Sequence, residues 1–173
     1  MSAGENHISI DPDYLDLLKL LNAHEVRYLV VGAFAYGLYC RPRTTRDLDI
    51  FVANDSVNAA KVIAVLSEFG FENPGLTVED MMSSDTILQL GYPPVRIDII
   101  TSISGIDDFD SAWQNRTRGT LGSETVNVIS KSDLIANKIA SGRLRDLSDV
   151  EDLKKEPVSR EEAFKKHPPR TKS

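Results

Sequence analysis

Two aspartates two residues apart, Asp47 and Asp49, stand out in the stretch from Tyr28 to Val52, YLVVGAFAYGLYCRPRTTRDLDIFV. The run from Asp47 to Val52 reads as a β-strand, whose side chains alternate between two faces. Both carboxylates then point one way, with Leu48, Ile50 and Val52 on the other face. Carboxylates held side by side repel unless a cation lies between them, and a divalent metal is the usual one. Upstream, Gly32 separates an apolar strand, Tyr28 to Val31, from a short helix running from Ala33 to about Tyr39. Glycine there lets a ligand approach the backbone, and the free N–H groups of a helix start favour phosphate. A phosphate seat beside a metal-binding carboxylate pair points to nucleotide chemistry.

These residues need a scaffold, and the chain supplies one on either side. Asp11 to Glu25 reads as an amphipathic helix, with Asp11 as N-cap, Pro12 in the first turn and Leu15, Leu18, Leu20 and Leu21 as its apolar stripe. Ser56 to Phe69 reads as a second helix, ended by Gly70, with Val57, Ala60, Ile63, Ala64 and Leu66 on its apolar side. Thr86 to Leu90 and Val95 to Thr101 read as strands joined by Gly91-Tyr92-Pro93-Pro94. Asp107, Asp108 and Asp110 precede a short helix, Ser111 to Asn115, where acids suit the positive end. Val126 to Ile129 reads as a strand, after which Ser130 or Ser132 caps a helix whose stripe is Leu134, Ile135 and Ile139. Gly142 breaks that helix and RLRDLSDVEDL begins another. The alternation implies an α/β (α+β) domain with a mixed sheet flanked by helices.

In VRIDIIT, Asp98 interrupts an apolar run. An unpaired buried carboxylate is costly, so it needs a partner. Arg96, on the same face, is one; a metal shared with Asp47 and Asp49 is the other, and the favoured one. Lys138 falls on the buried stripe of its helix, where a lysine either meets an anion or snorkels along the apolar edge. Arg41, Arg43 and Arg46 cluster just before the acid pair, either as solvated charges or as phosphate contacts. His7 and His24 have no second ligand at metal spacing and read as structural or incidental.

The pattern Val31-Gly32-Ala33 followed by Asp47-Leu48-Asp49-Ile50 resembles the nucleotidyltransferase superfamily typified by DNA polymerase β. The wording VVGAFAYGLYCRPRTTRDLDIFV, with Arg-x-Thr-x-Asp-x-Asp from Arg43 to Asp49, is similar to the AbiEii/AbiGii-type toxin branch. Ala33 departs from the signature, which usually has Gly or Ser there; Ala offers phosphate its N–H and no hydroxyl. The resemblance implies a nucleotidyltransferase fold with C-terminal helices and three metal-holding acids, Asp47, Asp49 and Asp98, the last in the context Ile97-Asp98-Ile99. It also implies nucleotide contacts from Gly32, Ala33, Arg43 and Thr45. Downstream, Lys138, Arg143, Asp146 and Asp149 resemble the late motifs of that branch, in which the Lys contacts phosphates and the acid after it contributes to activity. Lys138 and Asp146 inherit those roles, with Asp149 the alternative acid.

The implied chemistry is Mg²⁺-dependent transfer of a nucleoside monophosphate from an NTP to a hydroxyl acceptor, with release of pyrophosphate. The acceptor is an RNA such as a tRNA 3′ end, with a cognate antitoxin as partner, or a small hydroxylated molecule such as an aminoglycoside, or a protein hydroxyl. A non-catalytic nucleotide-binding or interaction module on the same fold is the alternative from another class.

Composition agrees with a soluble domain. The chain has 173 residues, 41% hydrophobic and 27% charged. Its net charge of −6, from 20 basic and 26 acidic residues, argues against a protein that coats nucleic acid non-specifically. The charge is uneven: from Lys155 onward six basic residues face three acidic ones. The domain is therefore expected over 1–154 and a basic, proline-containing loose tail over 155–173, with one short helix over 159–166. The single cysteine, Cys40, excludes a disulfide framework. No signal-peptide pattern and no apolar run near the ~20 residues of a membrane span are present. The expected place is the cytoplasm.

Overall fold

The computed structural model describes residues 10–43, 45, 47–73, 75–92 and 94–155. Arg46, His7 and the tail, including the helix expected over 159–166, lie outside the described residues. In chain order the elements are α1 (Pro12–Ala23), β1 (Tyr28–Val31), α2 (Gly32–Tyr39), β2 (Asp47–Val52), α3 (Ser56–Phe69), α4 (Val78–Met82), β3 (Ile87–Tyr92), β4 (Val95–Ile100), α5 (Phe109–Gln114), β5 (Thr117–Leu121), β6 (Glu124–Val128), α6 (Lys131–Ser141) and α7 (Leu144–Lys155). The strands form one six-stranded sheet in the order β3-β4-β2-β1-β6-β5. β1 runs antiparallel to β2, while β2 lies parallel to β4 and β1 parallel to β6. The sheet is thus mixed, as the alternation of elements implies. No helix among the described residues is long and apolar enough to cross a membrane.

The central strands are apolar because both of their faces are covered. Leu29, Val30, Leu48, Ile50 and Ile99 are buried, and β1 is buried along its whole length. Asp11 caps α1 by accepting from the Asp13 N–H at 2.8 Å, with Pro12 in the first turn. The buried line of α1 is Tyr14, Leu17, Leu18 and Leu21, with Leu15 and Leu20 only half-buried.

The face expected of α3 is corrected. Val57 is 65% exposed, Ala60 and Ala64 are exposed, and the buried line is Asn58, Ala59, Val62, Val65 and Leu66. The phase is set by a polar residue. Asp55 caps the helix by accepting from the Asn58 N–H at 2.9 Å. The buried Asn58 amide donates to the Ala53 carbonyl at 2.7 Å and the Arg27 carbonyl at 3.1 Å, and accepts from the Arg27 N–H at 2.8 Å. Fully satisfied, that amide can sit inside, and it turns Val57 out. On α6, Ser130 is the cap, accepting from the Asp133 N–H. Ile139 is 51% exposed, so the buried line there is Leu134 with Lys138.

Candidate active site

Strand register brings the first three acids together. Val31 pairs with Asp49 across β1 and β2, and Asp49 pairs with Asp98 across β2 and β4. Paired residues on neighbouring strands share a face, so Asp49 and Asp98 stand side by side, with Asp47 and Arg96 as the next row. The chain turns immediately after Val31, at Gly32, with φ +66°. A Cβ on Gly32 would lie within contact-violating range of the Asp49 carboxylate, 2.3 Å from its Oδ2. Glycine is required here by both the left-handed backbone and the carboxylate packed against it. The first N–H groups of α2 receive no side-chain cap.

Electrostatics in this row are strained. Burial first, then the charges of Asp98 and Asp47, push the Asp49 carboxyl up to about 6, and Arg96 offsets only part of that. Asp98 is also raised, by burial first and then Asp47, against the lowering effect of Arg96. Arg96 Nη2 donates to Asp47 Oδ2 at 3.3 Å and to Asp98 Oδ2 at 3.2 Å. Asp98 thus pairs with Arg96 and also stands beside Asp49. The other Asp98 oxygen, Oδ1, is buried without a hydrogen-bond partner. Among the described residues no group of three or more His, Cys, Asp or Glu side chains is gathered in a metal-holding arrangement; Arg96 draws two of the carboxylates to itself. The donor set nevertheless fits a hard divalent cation: two carboxylates sharing a row, a third one step along, and a buried oxygen with nothing to bind.

The late motif residues form a second cluster, packed against α2. Lys138, Asp146 and Asp149 are all buried. Lys138 Nζ donates to Asp149 Oδ2 at 2.9 Å and stands 3.5 Å from Asp146 Oδ1. Arg43 forks onto Asp149, with Nη2 to Oδ1 at 2.6 Å and Nη1 to Oδ2 at 3.1 Å, and its guanidinium stacks 3.9 Å from the Tyr36 ring. Arg143 Nε donates to Asp146 Oδ2 at 2.8 Å. Burial pushes both carboxyls up but is outweighed, so each lies below its ordinary range: Asp149 through hydrogen bonds from Arg43 and Lys138, Asp146 through those from Arg143 and Ser141. Asp149 is the centre of this network and Asp146 its outer member. Thr45 lies apart from both clusters in its contacts: its hydroxyl donates to the Asp47 carbonyl at 3.2 Å.

The sequence profile described as nucleotidyl transferase of unknown function (DUF2204) matches residues 11–166. The chain belongs to that family. No curated protein sequence matches it. Among solved structures it is similar to the lincosamide antibiotic adenylyltransferase LnuA, seen with lincomycin bound, at 17% identity and a TM-score of 0.50, covering 86% of this chain and 98% of that one. It is also similar to a nucleotidyltransferase-like protein of Thermotoga maritima, at 20% identity and a TM-score of 0.54, covering 87% and 96%. At these identities the likeness is one of fold, and it matches the mixed sheet described above.

One contact of Arg96 and the whole part played by Tyr14 were not legible in the sequence. Arg96 reaches Asp47 as well as Asp98 because Asp47 is its register partner across β2 and β4, a pairing that strand order alone reveals. Tyr14 donates to the Arg96 carbonyl at 3.3 Å and sets its ring edge-on to Phe34. Its one signal was a place on the buried line of α1, three residues before Leu17. The Gly32 contact carries a prediction. Gly32→Ala is expected to cost about 1–3 kcal/mol in urea unfolding, from backbone strain and the clash together. Asp49→Ala in the same chain removes the nearest clashing atoms, so the double variant recovers part of the loss. Strictly additive losses would show that Gly32 and Asp49 do not touch.

Proposed function

We propose that this nucleotidyl transferase moves a nucleoside monophosphate from an NTP to a hydroxyl acceptor and releases pyrophosphate. The observation that carries the reading is the row Gly32–Asp49–Asp98, in which an uncapped helix start, a raised carboxyl and a buried orphan oxygen adjoin one another. Asp47, Asp49 and Asp98 would hold Mg²⁺, which when bound draws charge from the phosphate oxygens and lowers the barrier to attack. The N–H groups of Gly32 and Ala33 receive phosphate oxygens. Asp98 accepts the proton of the acceptor hydroxyl. Lys138 and Arg43 lie beside Tyr36, one helical turn from Gly32, and with Arg143 they face the carboxylates of Asp146, Asp149 and Asp152. We assign these cations to the leaving pyrophosphate, with Asp146 and Asp149 holding them in place. Thr45 orders the chain entering Asp47.

For the acceptor, the Arg43-to-Asp49 resemblance to the AbiEii-type branch supports RNA, with a toxin role and an antitoxin partner in the cytoplasm. The fold shared with LnuA supports a small molecule. The test of transfer itself is direct. Purified protein with Mg²⁺ and α-³²P-labelled NTPs is offered tRNA and hydroxylated small molecules, and covalent label on an acceptor is followed. Transfer by the wild type, lost in Asp49→Ala, upholds the reading. Tight nucleotide binding with no transfer to any acceptor would instead make the chain a binding module.

A further inference from the structure

The acid row does not end at Asp98. β3 is the edge strand beyond β4, and Gln89 is the register partner of Asp98 in that antiparallel pair. The row therefore reads Val31, Asp49, Asp98, Gln89 on one face, from the start of α2 to the sheet edge. Ile87 and Gly91 flank Gln89 on the same face. Ile87 is 64% exposed, and Gln89 and Gly91 are exposed too, so no element among the described residues covers this face of β3. At Gly91, with φ +78°, a Cβ would meet the Val95 carbonyl at 2.6 Å. No side chain can stand there, and the floor beside Gln89 stays open.

Charge differs sharply between the two ends of the row. Between Lys61 and Arg116 the only lysine or arginine is Arg96, while the same stretch holds nine carboxylates. That stretch builds α4, β3, β4 and α5, and its one cation is already bound to Asp47 and Asp98. At the other end, Arg43, Lys138 and Arg143 stand around α2 and α7, each held by Asp149 or Asp146. A triphosphate needs cations and belongs at the α2 end. A nucleic-acid acceptor lying over β3 would bring phosphates that no free lysine or arginine between Lys61 and Arg116 neutralises.

We infer that the exposed face of β3 is the acceptor seat, that Gln89 hydrogen-bonds the acceptor beside its reacting hydroxyl, and that the acceptor is a small hydroxylated amine and not RNA. This rests on the transferase reading above. In the step, the acceptor oxygen forms a bond to the α-phosphorus as the bond from that phosphorus to the β-phosphate bridging oxygen breaks. Pyrophosphate leaves with the electron pair, and the hydroxyl proton passes to Asp98 and on to solvent. Ile87 offers an apolar contact for the carbon skeleton, and the acid-rich stretch that builds β3 and β4 favours ammonium groups over phosphates.

The test offers the wild type, Gln89→Ala and Gln89→Lys labelled NTPs and Mg²⁺ with kanamycin, lincomycin, myo-inositol or deacylated tRNA as separate acceptors. Gln89 is exposed, so these variants keep the fold. The expected result is label on an amine-bearing compound. Gln89→Ala raises the KM for that compound about tenfold, as loss of one good hydrogen bond does. Gln89→Lys raises it further, and the KM for the NTP stays within about twofold in both. Label on tRNA, label on inositol but on neither amine, or an amine KM indifferent to both substitutions overturns the inference. Turnover of NTP to NMP and pyrophosphate with no acceptor labelled also counts against it. Absence of both nucleotide turnover and Mg²⁺-dependent nucleotide binding would defeat the transferase reading itself.

Discussion

Asp49→Asn should make the metal-free protein more stable at pH 7.5 and at the same time abolish transfer. The reasoning starts from the Asp49 carboxyl, raised from 3.8 to about 6 chiefly by burial, with Asp98 and Asp47 adding repulsion. An acid whose folded pKa is raised binds its proton more tightly in the native state. Its favourable contribution is complete below the unfolded value near 4 and is lost as pH rises through about 6. Above that, the native state carries the ionised form at a cost. The shift corresponds to at most about 3 kcal/mol, and partial solvent contact reduces it to roughly 1–2. Relieving it should raise the thermal midpoint by several degrees, at about 2–4 °C per kcal/mol for a chain of this size. Wild type and variant should converge near pH 4. A divalent cation that binds the native row should stabilise the wild type by mass action and leave the variant unmoved. Calorimetry with and without MgCl₂ measures all of this without any acceptor. An Asp49→Asn protein less stable than wild type at pH 7.5, or equally stabilised by magnesium, would falsify the account of the row as a strained cation seat.

The same row shows why some of this site was readable in advance and some was not. Asp47 and Asp49 are two residues apart on one strand, so alternation alone puts them on one face. Asp98 lies far along the chain, and in the sequence only its apolar flanks and the family resemblance point to its acid neighbours. What placed it beside Asp49 is the parallel pairing of β2 with β4, a long-range contact with no local signal. Gln89 needed one more strand still. The helices failed in a different way. Hydrophobic periodicity put Val57 inside and passed over Asn58, because a residue scale counts an amide as polar whether or not its hydrogen bonds are met. Three backbone partners at Arg27 and Ala53 reverse that balance. Lys138 shows the rule working, since a lysine on an apolar stripe did meet anions. They were Asp146 and Asp149 from the next helix.

Asp149→Ala is expected to be the most destabilising single substitution in the late cluster. Asp149 is 2% exposed and answers both Lys138 and Arg43. Removing it leaves the buried Lys138 ammonium with only Asp146, 3.5 Å away, and the half-buried Arg43 guanidinium without its ion pair, a loss that typically costs about 3–5 kcal/mol. Asp146→Ala should cost far less, about 1–2 kcal/mol, because the Arg143 side chain is 79% exposed and turns to water while Lys138 keeps Asp149. The contrast decides between the two acids as structural centre. It also has a sign in pH. Asp149 lies below its ordinary range, so its contribution is present above the unfolded carboxylate value near 3.9 and fades as pH falls through the lower folded one. The gap between Asp149→Ala and wild type should therefore shrink in acid. Lys138→Met added to Asp149→Ala removes one of the stranded cations and should restore part of the loss in urea unfolding. If it restores nothing, the damage comes from lost packing between α7 and α6 and the ion network is incidental. If it restores stability, the charge left without Asp149, and not lost packing, accounts for the damage.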